Sequence, residues 1–145
     1  MKVSDAMTPE VRMIKPEDSI QEAARLMADI DVGALPVSDD DRLLGMVTDR
    51  DIAVRAVAHG KSPDTKVREV MSWEVMYCFE DQELEDVALN MSDIKVRRLP
   101  VVNREKRLVG IISVGDLARF HDAQTTGEAL AGISEPGGAH SQTAH

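Results

Sequence analysis

VGALPVSDDDRLLGMVTDRDI (residues 32–52) and VRRLPVVNREKRLVGIISVGDL (residues 96–117) are two versions of one pattern. Each runs through an apolar residue, Pro and Val, a polar turn, and an apolar stretch holding one Gly. Each then reaches a hydroxyl residue followed, three places on, by Asp. Working outward, a displacement of 64 residues lays Val3 on Val67, Met7 on Met71, Val11 on Val75, Ala24 on Ala88 and Met27 on Met91. The same displacement lays Leu35, Pro36 and Val37 on Leu99, Pro100 and Val101. Beyond the turn the displacement is 65, placing Leu43 on Leu108, Gly45 on Gly110, Thr48 on Ser113 and Asp51 on Asp116. The additional residue falls in the 103–107 turn, where an insertion disturbs least. Self-similarity of this kind decides the architecture before any local reading does.

Each copy reads locally in the same way. Residues 11–14 and 75–79 are short, apolar and extended. Ser19 followed by Glu22 predicts a capping box, and Ile20, Ala23, Ala24 and Met27 then recur at helical spacing. Leu84, Val87, Ala88 and Met91 repeat that stripe. Strands over 35–37 and 43–47, and over 99–102 and 108–112, enclose polar turns at 39–42 and 103–107. Pro36 and Pro100 suit the start of edge strands, since they donate no N–H. A second helix starts at Thr48 or Ser113. The fold class is therefore α+β: two pseudo-symmetric βαββα repeats packed sheet to sheet. The expected division is a first repeat over 1–58, a linker over 59–66, a second repeat over 67–121 and a flexible tail over 122–145, with a short helix or docking turn at 128–133.

Composition narrows the function. A net charge of −9 opposes binding to nucleic-acid phosphate. Aromatics are 3% of residues, too few for base-stacking platforms, although Arg97, Arg98, Arg104, Lys106 and Arg107 form one basic stretch. The apolar run at 108–112 is too short to span a membrane, and no secretory signal is visible. The lone Cys78 excludes an internal disulfide, and its apolar surroundings predict an inert core thiol. His59, His121, His140 and His145 lack metal-ligand spacing, and neither Gly-rich phosphate-loop motif occurs. The expectation is a cytoplasmic, non-enzymatic protein with no catalytic cofactor.

The duplicated pattern resembles a tandem pair of CBS domains, the regulatory repeats named after cystathionine β-synthase. The likeness spans about residues 3–120, and its most specific part is Gly–apolar–apolar–[Ser/Thr]–x–x–Asp, present twice in register. The resemblance implies a stand-alone bacterial CBS pair. Such a module senses adenosine-containing ligands (AMP, ADP, ATP, NAD or S-adenosylmethionine) in clefts between the repeats and signals to a partner protein. It also implies a homodimer, for which Ile52, Val54, Val57, Leu117 and Phe120 offer apolar helix faces. The alternatives are a ligand-free dimerisation module and a nucleic-acid-binding regulator.

The paired motifs carry two chemical readings. Helix-start amides and the hydroxyls of Thr48 and Ser113 suit a phosphate. The carboxylates of Asp51 and Asp116, being acceptors only, suit the two ribose hydroxyls, while Arg50 adds charge for phosphate. Equally, Thr48 with Asp51 and Ser113 with Asp116 are capping boxes. For the base, the candidates are Thr8 and Val11 with Ala34, Leu35 and Pro36 at one site. At the other they are Ser72 and Val75 with Leu99 and Pro100. Arg97 and Arg98, where the first copy has Gly33 and Ala34, predict that the two sites are not equivalent.

Overall fold

The computed structural model describes residues 1–9, 11–120, 127 and 130–134. In chain order the elements begin with α1 (Val3–Ala6), β1 (Thr8–Pro9), α2 (Ile20–Ile30), β2 (Ala34–Asp39), β3 (Arg42–Thr48) and α3 (Asp49–Asp51). The last continues as a wide π turn over Ile52–Ala56 and a 3-10 turn over Val57–His59. A 3-10 turn (Val67–Glu69), β4 (Ser72–Trp73), β5 (Cys78–Phe79), α4 (Leu84–Ile94), β6 (Arg98–Val102), β7 (Leu108–Ser113) and α5 (Val114–Phe120) follow.

The chain forms two compact units. The first is Arg12–Val75; the second joins Met1–Val11 to Met76–His145. Sequence repeat and packing unit are thus cut differently. Each repeat's leading segment, 1–11 or 67–75, packs in the unit built on the other repeat's hairpin. In the first unit the sheet order is β2-β3-β4, with β4 antiparallel to β3. In the second it is β1-β7-β6-β5, with β1 antiparallel to β7 and β5 parallel to β6. Pro100 therefore does not lie on an edge strand, contrary to expectation. β5 pairs only with Val101 and Val102, beyond it, so the missing N–H is tolerated.

Local chemistry accounts for the elements. Ser19 caps α2, its Oγ accepting from the Glu22 amide at 3.1 Å. Both long helices stop in a left-handed residue, Asp31 (φ 55°) and Lys95 (φ 58°), whose amides donate back to Met27 and Met91. The β2–β3 turn takes positive φ at Asp40 and Asp41, as the tightest hairpins require. In the longer second turn the Asn103 side chain accepts from the amides of Glu105 and Arg107.

Each unit has its own apolar core. Ile14, Ile20, Ala23, Met27, Leu35, Val37, Val47, Val67, Val70 and Met71 fill the first. Val3, Ala6, Cys78, Leu84, Val87, Ala88, Met91, Leu99, Ile112, Leu117 and Ile133 fill the second. Two expectations need correction here. Ala24 is exposed whereas its counterpart Ala88 is buried, so the first helical stripe is narrower than its spacing suggested. Leu117 is a core residue and Ile52 packs against the first core, leaving Val54, Val57 and Phe120 as the exposed apolar residues of those helices. Within the tail, residues 130–133 are helical and Ile133 is buried, while most of 122–145 lies outside the described residues.

Candidate functional site

The Gly of each motif is explained by the strand beside it. A Cβ on Gly45 would collide with the carbonyl of Ser72 and stand 2.7 Å from Met71 Cε. A Cβ on Gly110 would stand 2.7 Å from the carbonyl of Thr8 and 2.6 Å from Met7 Sδ. Only Gly lets these leading strands approach so closely. The register is Met46 opposite Ser72 and Thr8 opposite Ile111.

That register redistributes the predicted site residues. Ala34, Leu35, Pro36, Thr48, Arg50 and Asp51 share the first unit with Ser72 and Val75, not with Thr8 and Val11. Arg97, Arg98, Leu99, Pro100, Ser113 and Asp116 share the second unit with Thr8 and Val11. The grouping expected from the sequence kept each leading segment with its own repeat, and strand pairing exchanges them. Ala34, Leu35, Pro36, Leu99 and Pro100 are buried in their strands. Val11, Thr48, Ser72, Val75 and Ser113 are half-buried; Thr8, Arg50, Arg97 and Arg98 are exposed.

At each strand-to-helix junction the hydroxyl and carboxylate cap one another. The Thr48 amide donates to Asp51 Oδ2 and the Asp51 amide donates to Thr48 Oγ1, both at 3.0 Å. The Ser113 amide donates to Asp116 Oδ2 at 2.9 Å, the Ser113 hydroxyl donates to the same oxygen at 3.1 Å, and the Asp116 amide donates to Ser113 Oγ at 3.3 Å. Both carboxylates are buried, Asp51 at 3% and Asp116 at 6% exposure. The capping reading is therefore realised in full. It uses Oδ2 of each carboxylate and leaves Oδ1 to decide what else the group does.

The helix-start amides are less available than the sequence suggested. Asp49 donates its amide to the Gly33 carbonyl at 2.9 Å, and Val114 to the Arg97 carbonyl at 3.0 Å. The next amide differs between units. That of Arg50 donates to Asp49 Oδ1 at 2.8 Å, whereas that of Gly115 has no partner among the described residues. Two side chains absent from the sequence-based site matter here. One is Asp49, aligned with Val114. The other is Arg55, aligned with Phe120, whose Nε lies 3.8 Å from Asp51 Oδ1 and whose Nη1 donates to the carbonyls of Val70 and Met71. Both were visible as charged residues facing apolar counterparts in the repeat alignment.

Other chemistry is scarce. Burial pushes the Cys78 thiol up to about 12, so it carries no thiolate near neutral pH. Among the described residues there is no group of three or more His, Cys, Asp or Glu side chains able to hold a metal. No helix among them is long and apolar enough to cross a membrane.

Comparison with known proteins follows the same lines. The CBS domain family model matches residues 3–57 and 67–122. The chain is 44% identical over 133 residues to the CBS domain-containing protein YhcV of Bacillus subtilis, covering 91% of this chain and 94% of that one. Its fold is similar to the crystal structure of CBSX2 in complex with AMP (TM-score 0.72, 30% identity, 81% of this chain and 93% of that one). It is equally similar to the CBS domain pair of protein MJ0100 in complex with 5′-methylthioadenosine and S-adenosyl-L-methionine (TM-score 0.72, 31% identity, 82% of this chain and 98% of that one).

Proposed function

The chain belongs to the CBS domain family, with two repeats in tandem, and on that premise we propose that it is a regulatory module that binds adenosine-containing ligands. The observation that carries this reading is the duplicated, buried carboxylate. Asp51 and Asp116 each keep Oδ1 outside the cap, beside a hydroxyl at a helix start. A carboxylate oxygen held this way accepts from ribose hydroxyls without rearranging. In this reading the Thr48 and Ser113 hydroxyls take the 5′ substituent, and backbone groups of Ala34, Leu35 and Pro36, and of Leu99 and Pro100, take the adenine, the Leu35 and Leu99 side chains being buried in the cores. The AMP complex of CBSX2 and the S-adenosylmethionine complex of MJ0100 support this class of ligand. The module works by population shift: a ligand held by one conformation alters which surface a partner protein meets. Exposed Val54, Val57 and Phe120 support a homodimer as the working form, acting in the cytoplasm.

Thermal unfolding with AMP, ATP, adenosine and S-adenosylmethionine tests the reading. A ligand at a hundredfold excess over its Kd stabilises by about 2.7 kcal/mol, which raises Tm by about 5–10 °C in a chain this size. The 2′-deoxy analogue is expected to lose most of that shift, because it lacks one of the hydroxyls assigned to the Asp. If no adenosine compound shifts Tm at millimolar concentration, the completed capping boxes are all the motifs do, and the chain is a ligand-free structural module.

A further inference from the structure

Arg55 joins three parts of the first unit. It stands in the wide π turn over Ile52–Ala56, one turn past the buried carboxylate of Asp51. Its Nε lies 3.8 Å from Asp51 Oδ1, and its Nη1 donates to the carbonyls of Val70 and Met71 at 3.2 and 3.3 Å. Those two residues close the 3-10 turn over Val67–Glu69, their amides both donating to the Val67 carbonyl at 3.0 Å, and Ser72 of β4 follows. The turn has an outer surface as well. Arg68 and Glu69 are exposed, and Trp73, 46% exposed, donates its Nε1 to the Arg68 carbonyl at 3.4 Å. The carboxylate end of Arg55 is its weaker arm, because 3.8 Å is an ion pair without a hydrogen bond. At the matched place in the second unit stands Phe120, a side chain with no donor.

We propose, resting on the adenosine reading above, that Arg55 is a latch by which the first unit turns occupancy of Asp51 into a loosening of the 67–71 turn. A hydroxyl donating to Asp51 Oδ1 stands about 2.7 Å from that oxygen, closer than the guanidinium does, and takes the acceptor on which the guanidinium leans. Arg55 then loses the counter-charge that holds it over Val70 and Met71. Their carbonyls lose a charged donor, and the turn that carries Arg68 and anchors Trp73 relaxes. Ligand and latch compete for one oxygen, so each weakens the other by the same factor. The second unit has the matching carboxylate without the latch, and its leading segment gives no such response.

The experiment measures amide hydrogen exchange of the full chain with and without saturating adenosine, and adenosine binding by calorimetry. Adenosine is used rather than AMP so that no phosphate acts on the guanidinium. Binding is expected to speed exchange across 67–71 by about fivefold or more, the lower end of ordinary coupling between sites, and not across the matched segment 3–7. A ligand that merely touched the turn would slow exchange there, so the sign separates the latch from a contact. Arg55→Gln is expected to exchange fast across 67–71 without adenosine, to show no further rise with it, and to bind adenosine at least as tightly as the unmodified chain. Arg55→Lys keeps the charge but loses the planar fork, and is expected to fall between the two. The latch is overturned if adenosine binds while exchange across 67–71 slows or stays unchanged. It is also overturned if Arg55→Gln binds adenosine more weakly, which would make Arg55 a support of the site and not its competitor. If adenosine does not bind, the adenosine reading falls and the response with it, so the two failures are told apart.

Discussion

The two units share a frame and differ in how it is finished. Both set a hairpin with its irregularity at the same place, after Val37 and after Val101, against a helix stripe and a leading strand. In the first unit the second helix widens to a π turn after Asp51, and Arg55 ties that turn to Val70 and Met71. In the second it continues as a regular helix to Phe120, and a later segment of the chain places Ile133 in the core. Duplication thus conserved what holds strands together and left free what decorates the helix starts and the helix backs. A shared feature broken in either unit should cost alike; a feature of one unit should cost only there.

The largest effect belongs to the shared frame. Val in place of Gly45 or Gly110 puts a branched side chain against a backbone carbonyl that cannot turn away. Each substitution is expected to cost about 3 kcal/mol, the upper end of ordinary overpacking, lowering Tm by about 6–12 °C. Gly110→Val should be the milder, because its nearest neighbour is the flexible end of Met7, whereas Gly45 meets the carbonyl of Ser72 first. Gly115→Ala is the control, since its Cβ would find only Ser113 Oγ at an ordinary 3.5 Å. If Gly45→Val unfolds at the unmodified temperature, the exchange of leading strands does not hold the units as described.

A smaller effect separates the units. Ile133 is 8% exposed, and Gly132 packs so closely on Ser92 of α4 that a Cβ there would strike the Ser92 side chain. Ser92 lies one turn beyond Ala88, which is fully buried, while Ala24 at the matching place on α2 is exposed. Ile133→Ala is expected to cost about 2 kcal/mol, the low end for a large apolar side chain truncated in a core. Chemical denaturation checks this through the midpoint. An unchanged midpoint means that the segment adds nothing to the second unit and that Ala88 is covered by other groups.

These differences mark where the sequence could be read and where it could not. Helices, hairpins and caps were legible because each depends on neighbours in the chain: Ser19 with Glu22, Thr48 with Asp51, Ser113 with Asp116. Two independent copies of the pattern removed the ambiguity that a single short apolar run carries. The exchange of leading strands was not legible. Ser72–Trp73 and Thr8–Pro9 are too short to carry a register of their own, and their partners are chosen by tertiary packing against Gly45 and Gly110. Arg55 stood out in the repeat alignment as a charge opposite Phe120, but its role did not, since its partners at Val70 and Met71 are backbone carbonyls, which no side-chain pattern announces. The burial of Ala88 but not of Ala24 is set by tertiary packing, about which helical spacing is silent.

The smallest effect compares the surface ties. In the first unit Glu17 accepts from Lys66 at 3.0 Å and from Arg68 at 2.8 Å, holding the second leading segment to the loop before α2. In the second, Arg104 makes paired bonds to Asp81 at 2.7 and 2.8 Å and also lies 4.2 Å from the centre of the Phe79 ring. The Lys66 hydrogen bond, aided by Arg68, holds the Glu17 carboxyl below its ordinary value, and the Arg104 bonds do the same for Asp81. A carboxyl depressed in the folded state stabilises at neutral pH, and that contribution fades as pH falls through the folded value. Glu17→Gln and Asp81→Asn should therefore each lower Tm slightly at neutral pH, by less than either core substitution. The deficit should shrink toward zero in acid and in high salt, because both pairs are exposed. Asp81→Asn should be the milder, since Arg104 keeps its seat on Phe79 when the carboxylate is neutralised. A deficit that grows as pH falls would mean that these groups act through packing rather than charge, and the contrast between the two ties would vanish.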